Sequence, residues 1–137
     1  MILVDTSAWI EFLRATQSPA HRRIADLIAT DGPLAVTEPV MMEVFAGARD
    51  ERAQDTLRRL MLRFELLRFD SVADFDAAAT LYRRCRRSGI TPRGLLDCMI
   101  AAVALRHGAA VLSHDADFDR LAHAVGLTLD EASLRAP

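Results

Sequence analysis

Four short, largely apolar runs recur along this chain, and each is followed by residues with helical spacing. They are Ile2–Val4, Leu34–Val36, Leu66–Phe69 and Ala110–Leu112. Each is too short for a helix and reads as a strand covered on both faces. Parallel strands need a long crossover between them, usually a helix. Strand and helix patterns alternating in this way predict an α/β fold with a mostly parallel central sheet of four to five strands. Leu127–Leu129 is the candidate fifth strand, at an edge. No repeat, low-complexity tract or linker interrupts the pattern. One domain is expected over residues 1–134, with 135–137 as a short flexible tail.

The intervening segments carry their own boundaries. Trp9, Ile10 and Leu13 give Thr6–Leu13 a helical face. Pro19 can open a second helix with Ile24, Leu27 and Ile28 on one side, stopped by Asp31-Gly32-Pro33. Thr37-Glu38-Pro39 is a helix start with Thr37 as candidate N-cap. Met41, Val44, Phe45 and Ala48 form the stripe behind it. A further helix is expected over Arg52–Arg63. Ser71-Val72-Ala73-Asp74 has the form of a capping box, ahead of a helix running to Ser88-Gly89. Leu95–His107 is an apolar helix closed by Gly108. Phe118–Val125 is a last short one.

Composition narrows the chemistry. All 17 basic residues are arginine, and there is no lysine. Schiff-base, lysine-nucleophile and P-loop mechanisms are thereby excluded. A net charge of −2 does not suit a protein that coats nucleic acid non-specifically. Cys85 and Cys98 lack metal-ligand spacing and read as small apolar fillers in a reducing compartment. The N-terminus has no basic segment ahead of a long apolar one, and no run is long enough to cross a bilayer. A cytoplasmic protein is expected.

The acids are the informative residues. Ligands of an open parallel sheet bind beyond the carboxyl ends of its strands. Asp5 directly follows the first strand, and Asp115 follows the fourth by Ser113-His114. Glu43 lies in the second turn of the helix leaving the second strand. Asp97 opens a helix that must finish at the amino edge before the fourth strand, so it starts at the carboxyl edge. Each acid alone has an ordinary reading. Asp5 fits a helix cap, Asp97 a helix amino end, Glu43 a surface position, and Asp115, Asp117 and Asp119 a solvated turn. Their joint placement argues otherwise. Two carboxylates about 4 Å apart repel by about 4 kcal/mol at an effective dielectric of roughly 20. A hard divalent cation relieves this, and oxygen ligands favour Mg²⁺ or Mn²⁺ over Zn²⁺.

The motifs around these acids resemble a known family. I-L-V-D-T-S-A-W-I (Ile2–Ile10), T-E-P-V-M-M-E-V-F-A-G-A (Thr37–Ala48), L-L-D-C-M-I-A-A-V-A (Leu95–Ala104) and L-S-H-D-A-D-F-D (Leu112–Asp119) together resemble PIN-domain ribonucleases. More narrowly, they are similar to the VapC toxins of VapBC toxin–antitoxin pairs. The resemblance implies a three-layer PIN-like fold and Mg²⁺, or Mn²⁺, bound by these acids. It implies endonucleolytic cleavage of a structured RNA such as tRNA or rRNA, a homodimer, and silencing by a VapB-type antitoxin whose tail covers the active-site groove. Asp5 and Asp97 match the family's metal ligands. Glu43 and Asp115 fit as further ligands or as general base and water-orienting groups, with Asp117 as an alternative fourth acid. Thr6 and Ser7 are placed to hydrogen-bond near the ion or to cap the helix. Arg83, Arg87 and Arg93 are candidate contacts to RNA phosphates, against a default of solvated arginines. His114 reads as a turn histidine and Trp9 as core or groove lining.

Two alternatives share parts of this pattern. Phosphoryl-accepting receivers and haloacid-type phosphatases also place acids at strand ends, but both use a lysine that is absent here. A nuclease-like fold kept only for binding would not need to keep every acid. DNA cleavage by the same site stays open from sequence alone.

Overall fold

A computed structural model describes all 137 residues. The chain runs β1 (Ile2–Val4), α1 (Thr6–Leu13), α2 (Pro19–Ala29), β2 (Leu34–Val36), α3 (Glu38–Ala46) and α4 (Glu51–Met61). It continues through β3 (Glu65–Leu66), α5 (Ala73–Arg87), α6 (Leu95–His107), β4 (Ala110–Leu112) and α7 (Ala116–Val125). The four strands form one sheet in the order β3-β2-β1-β4. All its pairs are parallel, with Ile2 opposite both Leu34 and Ala110. Seven helices flank this α/β sheet.

The apolar runs form strands because both their faces are covered. Leu3, Val4, Ala35 and Val36 are almost wholly enclosed, as are Val111 and Leu112. Ile24, Val40, Met61, Ile100, Val103, Phe118 and Leu121 pack over them, and Trp9 joins this core beside Phe12 and Phe64. Cys85 and Cys98 are buried free thiols, and burial pushes Cys98 up to about 11. Gly108 closes α6 with φ +64°, a conformation that glycine adopts without penalty.

Several boundaries differ from the sequence expectation. The third strand is Glu65–Leu66, not Leu66–Phe69, because these two residues align with Ala35 and Val36. The Phe69 N–H is taken by Glu38 Oε1 at 2.8 Å, which ends any ladder there. The fifth strand shrinks to one parallel bridge between Leu129 and Val111. Ser71 does not cap α5. Asp70 Oδ1 accepts from Val72 N–H at 3.0 Å and Ala73 N–H at 2.7 Å, while Asp74 Oδ2 accepts from Asp70 N–H at 2.7 Å. The reciprocal cap therefore starts one residue earlier. At the chain's end, Ala136 N–H donates to Asp119 Oδ2 at 2.8 Å.

Thr37 holds the N-cap position of α3, but its side chain makes no capping bond. Its hydroxyl is fully buried without a partner. A valine there keeps the shape and removes a desolvated polar atom that returns nothing. Thr37→Val is expected to stabilise the protein by about 1 kcal/mol, read as a higher urea midpoint at unchanged slope. A lower midpoint would show that the hydroxyl has a partner in solution.

Candidate active site

The strand order reverses direction between β1 and β4, and ligands of open α/β sheets bind at such a point. Asp5 leaves β1 there and ties itself to the neighbouring strand, its N–H donating to Leu112 O at 2.9 Å. The register Val4 opposite Leu112 places Ser113 beside Asp5 one step on. Thr37, at the end of β2, lies on the other side of Asp5.

Hydroxyl groups organise the carboxylates. Ser7 Oγ donates to Asp5 Oδ2 at 2.7 Å. It also accepts from the His114 N–H at 2.8 Å, which joins the loop after β4 to the start of α1. Ser113 Oγ stands 3.4 Å from Asp5 Oδ2 and accepts from Asp115 N–H at 3.2 Å. Thr6 Oγ1 donates to Glu43 Oε1 at 2.6 Å, linking α1 to α3. Thr6 and Ser7 thus orient acids and do not act as helix caps. Asp115 caps α7, accepting from Asp117 N–H at 2.9 Å, and still faces the centre.

Burial and mutual repulsion show in the protonation equilibria. Burial pushes the Asp5 carboxyl up to about 6, against the Ser7 hydroxyl, and the charge of Glu43 adds to the rise. Asp97 is pushed up to about 7 by burial first and then by the charges of Asp5, Asp115 and Glu43. Four acids far apart in sequence therefore share one field. Arg93 opposes that rise, and its Nη2 lies 3.2 Å from Asp115 Oδ1 and 3.1 Å from Asp117 Oδ2. Arg93, helped by Arg120, holds Asp117 below the ordinary carboxylate range.

The remaining sequence candidates separate. Arg83 lines a cleft with Arg93, whereas Arg87 is exposed in the last turn of α5. His114 Nε2 lies 3.5 Å from Glu11 Oε1 and so faces a partner. Ser113 is the site residue that sequence reasoning passed over. Its only signal was its place directly after β4, in register with Asp5.

Comparison with known proteins agrees with this geometry. The PIN domain family matches residues 2–124. The chain is 45% identical to Ribonuclease VapC11 of Mycobacterium tuberculosis, over 93% of its own length and 96% of that protein's. The chain belongs to the PIN-domain family, among the VapC ribonucleases. Solved structures share its fold at lower identity. VapBC2 from Rickettsia felis, bound to a promoter DNA fragment, superposes with a TM-score of 0.74 at 18% identity, covering 95% of this chain and 98% of that one. M. tuberculosis VapC20, described as a toxin cleaving the Sarcin-Ricin loop, gives 0.65 at 20% identity, covering 93% and 97%. No helix of this VapC is long and apolar enough to cross a membrane.

Donor chemistry fits a hard cation. No three of these acids form a closed ligand set by themselves. Mg²⁺ does not require one, because it keeps several waters and is commonly held by one or two carboxylates together with substrate phosphate. A half-buried carboxyl raised to about 7 among other acids is a group whose ionised form a divalent ion would stabilise.

Proposed function

We propose that this VapC is a Mg²⁺-dependent endoribonuclease, with Mn²⁺ an alternative ion, and the toxin of a type II toxin–antitoxin pair. It cleaves structured RNA such as tRNA or rRNA and thereby stops translation and growth. The supporting observation is the shared field of Asp5, Glu43, Asp97 and Asp115, four acids that repel one another at the sheet's switch point. The kinship with VapC11 supports RNA over DNA as substrate.

Asp5 and Asp97 would hold the ion, with Glu43, Asp115 and then Asp117 as further oxygen donors. When bound, it would polarise the phosphodiester and acidify an attacking water. The chain's own groups do the positioning. Ser7 and Ser113 fix Asp5, and Thr6 fixes Glu43 beside it as general base or water-orienting group. Arg93 sits where a phosphate would meet both the acids and a positive charge.

A VapB-type antitoxin is the partner we infer, and the solved VapBC complexes support it. Exposed Ile10 and Leu13 line a groove with Leu57 that reaches Thr6 and Glu43, so a chain laid there would approach the acids from the Glu43 side. A homodimer and a cytoplasmic site of action complete the reading.

The test is cleavage of tRNA and rRNA, beside single-stranded DNA, with and without EDTA. Cleavage that survives EDTA would overturn the metal mechanism. A pH series sharpens it. Asp5 and Asp97 ionise near 6 and 7, and a cation binds only the ionised forms. At limiting Mg²⁺, activity should fall as pH drops from 8 to about 5.5, and excess Mg²⁺ should restore much of it. A decline that added Mg²⁺ leaves untouched would assign the titration to another step.

A further inference from the structure

Arg93 also belongs to a second feature, which the acid centre does not use. On its other side lies a cleft of about 480 Å³ between α5 and the turn leading into α6. Tyr82, Ala79, Pro92 and Leu95 give it apolar walls, and Arg83 stands with Arg93 among its lining residues. Tyr82 is the chain's only tyrosine. Leu95 is 57% exposed, although it opens the most deeply buried helix of the fold. Gly94 faces open space, so nothing fills the cleft from that side.

We propose that this cleft is a nucleotide subsite, taking one unpaired base of the RNA beside the phosphodiester held at the acids. An aromatic ring and aliphatic walls flanked by two arginines match a base and its phosphates, because every base offers a π-face and the backbone offers negative charge. An apolar peptide would have no use for the arginines, and an acidic one none for the ring. One arginine side chain separates the cleft from Asp115 and Asp117, so a nucleotide bound here adjoins the site of cleavage. The subsite holds one base against Tyr82 and its phosphates through Arg83 and Arg93. This inference rests on the ribonuclease reading and adds to it the place on the surface, between α5 and the turn into α6, where a nucleotide beside the scissile phosphate is gripped.

The test uses a fluorescein-labelled single-stranded RNA 12-mer of mixed sequence, and the same backbone with abasic positions, in EDTA to prevent cleavage. Binding is read by anisotropy for the wild type, Tyr82→Phe, Tyr82→Ala and Ala79→Gln. Ala79 is exposed on α5, so glutamine fills the cleft with little cost to folding. Wild type and Tyr82→Phe should prefer intact over abasic RNA. Tyr82→Ala and Ala79→Gln should bind intact RNA about tenfold more weakly and lose that preference, as expected when one stacked base is lost. In Mg²⁺, both should raise KM more than they lower kcat. If Ala79→Gln keeps full preference for intact RNA, the subsite is overturned while wild-type cleavage leaves the ribonuclease reading standing. A wild type that neither binds nor cuts any RNA overturns both. Loosened antitoxin binding at unchanged RNA affinity would assign the cleft to a protein and overturn the base.

Discussion

Asp97→Asn should abolish RNA cleavage and at the same time make the metal-free protein more stable. The first effect is large, about 10²–10³-fold in kcat, the range for losing one preorganised electrostatic group. The second follows from the sign of the carboxyl's shift. Burial and the neighbouring acids push Asp97 up from 3.8 to about 7, so the folded state resists its ionisation more than the unfolded chain does. A raised acid costs stability progressively as pH climbs from about 4 through about 7, and the cost then stays constant. Asparagine keeps the shape and carries no charge. Taken whole, the shift corresponds to about 4 kcal/mol, and partial solvation reduces this to an expected 1–2 kcal/mol at pH 8. Melting in EDTA should rise by several degrees, with the gain shrinking toward pH 5 and gone below about 4. Added Mg²⁺ should stabilise the wild type far more than the variant. A variant that melts lower than the wild type in EDTA, or cuts at the wild-type rate, defeats the assignment of Asp97.

β1, β2 and β4 were readable in the sequence because a strand buried on both faces is an unbroken apolar run with an acid or hydroxyl after it. β3 was not, since an edge strand of two exposed residues takes its bounds from its partner β2 and not from its own pattern. The acids were readable through topology alone, because the carboxyl edge of a parallel sheet is fixed once strand and helix alternate. Their hydroxyl supports were less so. Ser113 and the pairing of Thr6 with Glu43 depend on register and on the approach of α1 to α3, which no local signal carries. The α5 cap was misplaced for a similar reason. Asp74 suits a capping box locally, but its carboxylate answers the Asp70 N–H in place of that of Ser71 and is shared with a cation 32 residues away.

That cation is Arg106, and removing it should cost more than removing any other ion-pair partner on the molecule, because its acid is the most deeply buried one in a salt bridge. Asp74 is 1% exposed, and Arg106 grips it with Nε at 2.9 Å and Nη2 at 2.8 Å. Nη2 also donates to Arg68 O at 2.6 Å, so the guanidinium ties α6 to α5 and to the loop before it. Burial raises the Asp74 carboxyl, but the hydrogen-bonded Arg106 and the Asp70 N–H outweigh it and hold the group below its usual range. A depressed acid adds stability above its unfolded pKa, and loses it as pH falls through the lower folded value. Arg106→Met keeps the aliphatic stem and strands the carboxylate. Losing one partner of a buried pair costs about 3–5 kcal/mol, and the solvated outer half of Arg106 brings the expected loss to about 2–3 kcal/mol at pH 7. Without its partner, Asp74 takes up a proton more readily, so the deficit should narrow as pH falls toward 4. Asp74→Asn in the Arg106→Met background should recover part of the loss, because an amide can still accept from the Asp70 N–H. A deficit independent of pH, or a double variant no better than the single, would mean that Arg106 acts through packing and not through charge.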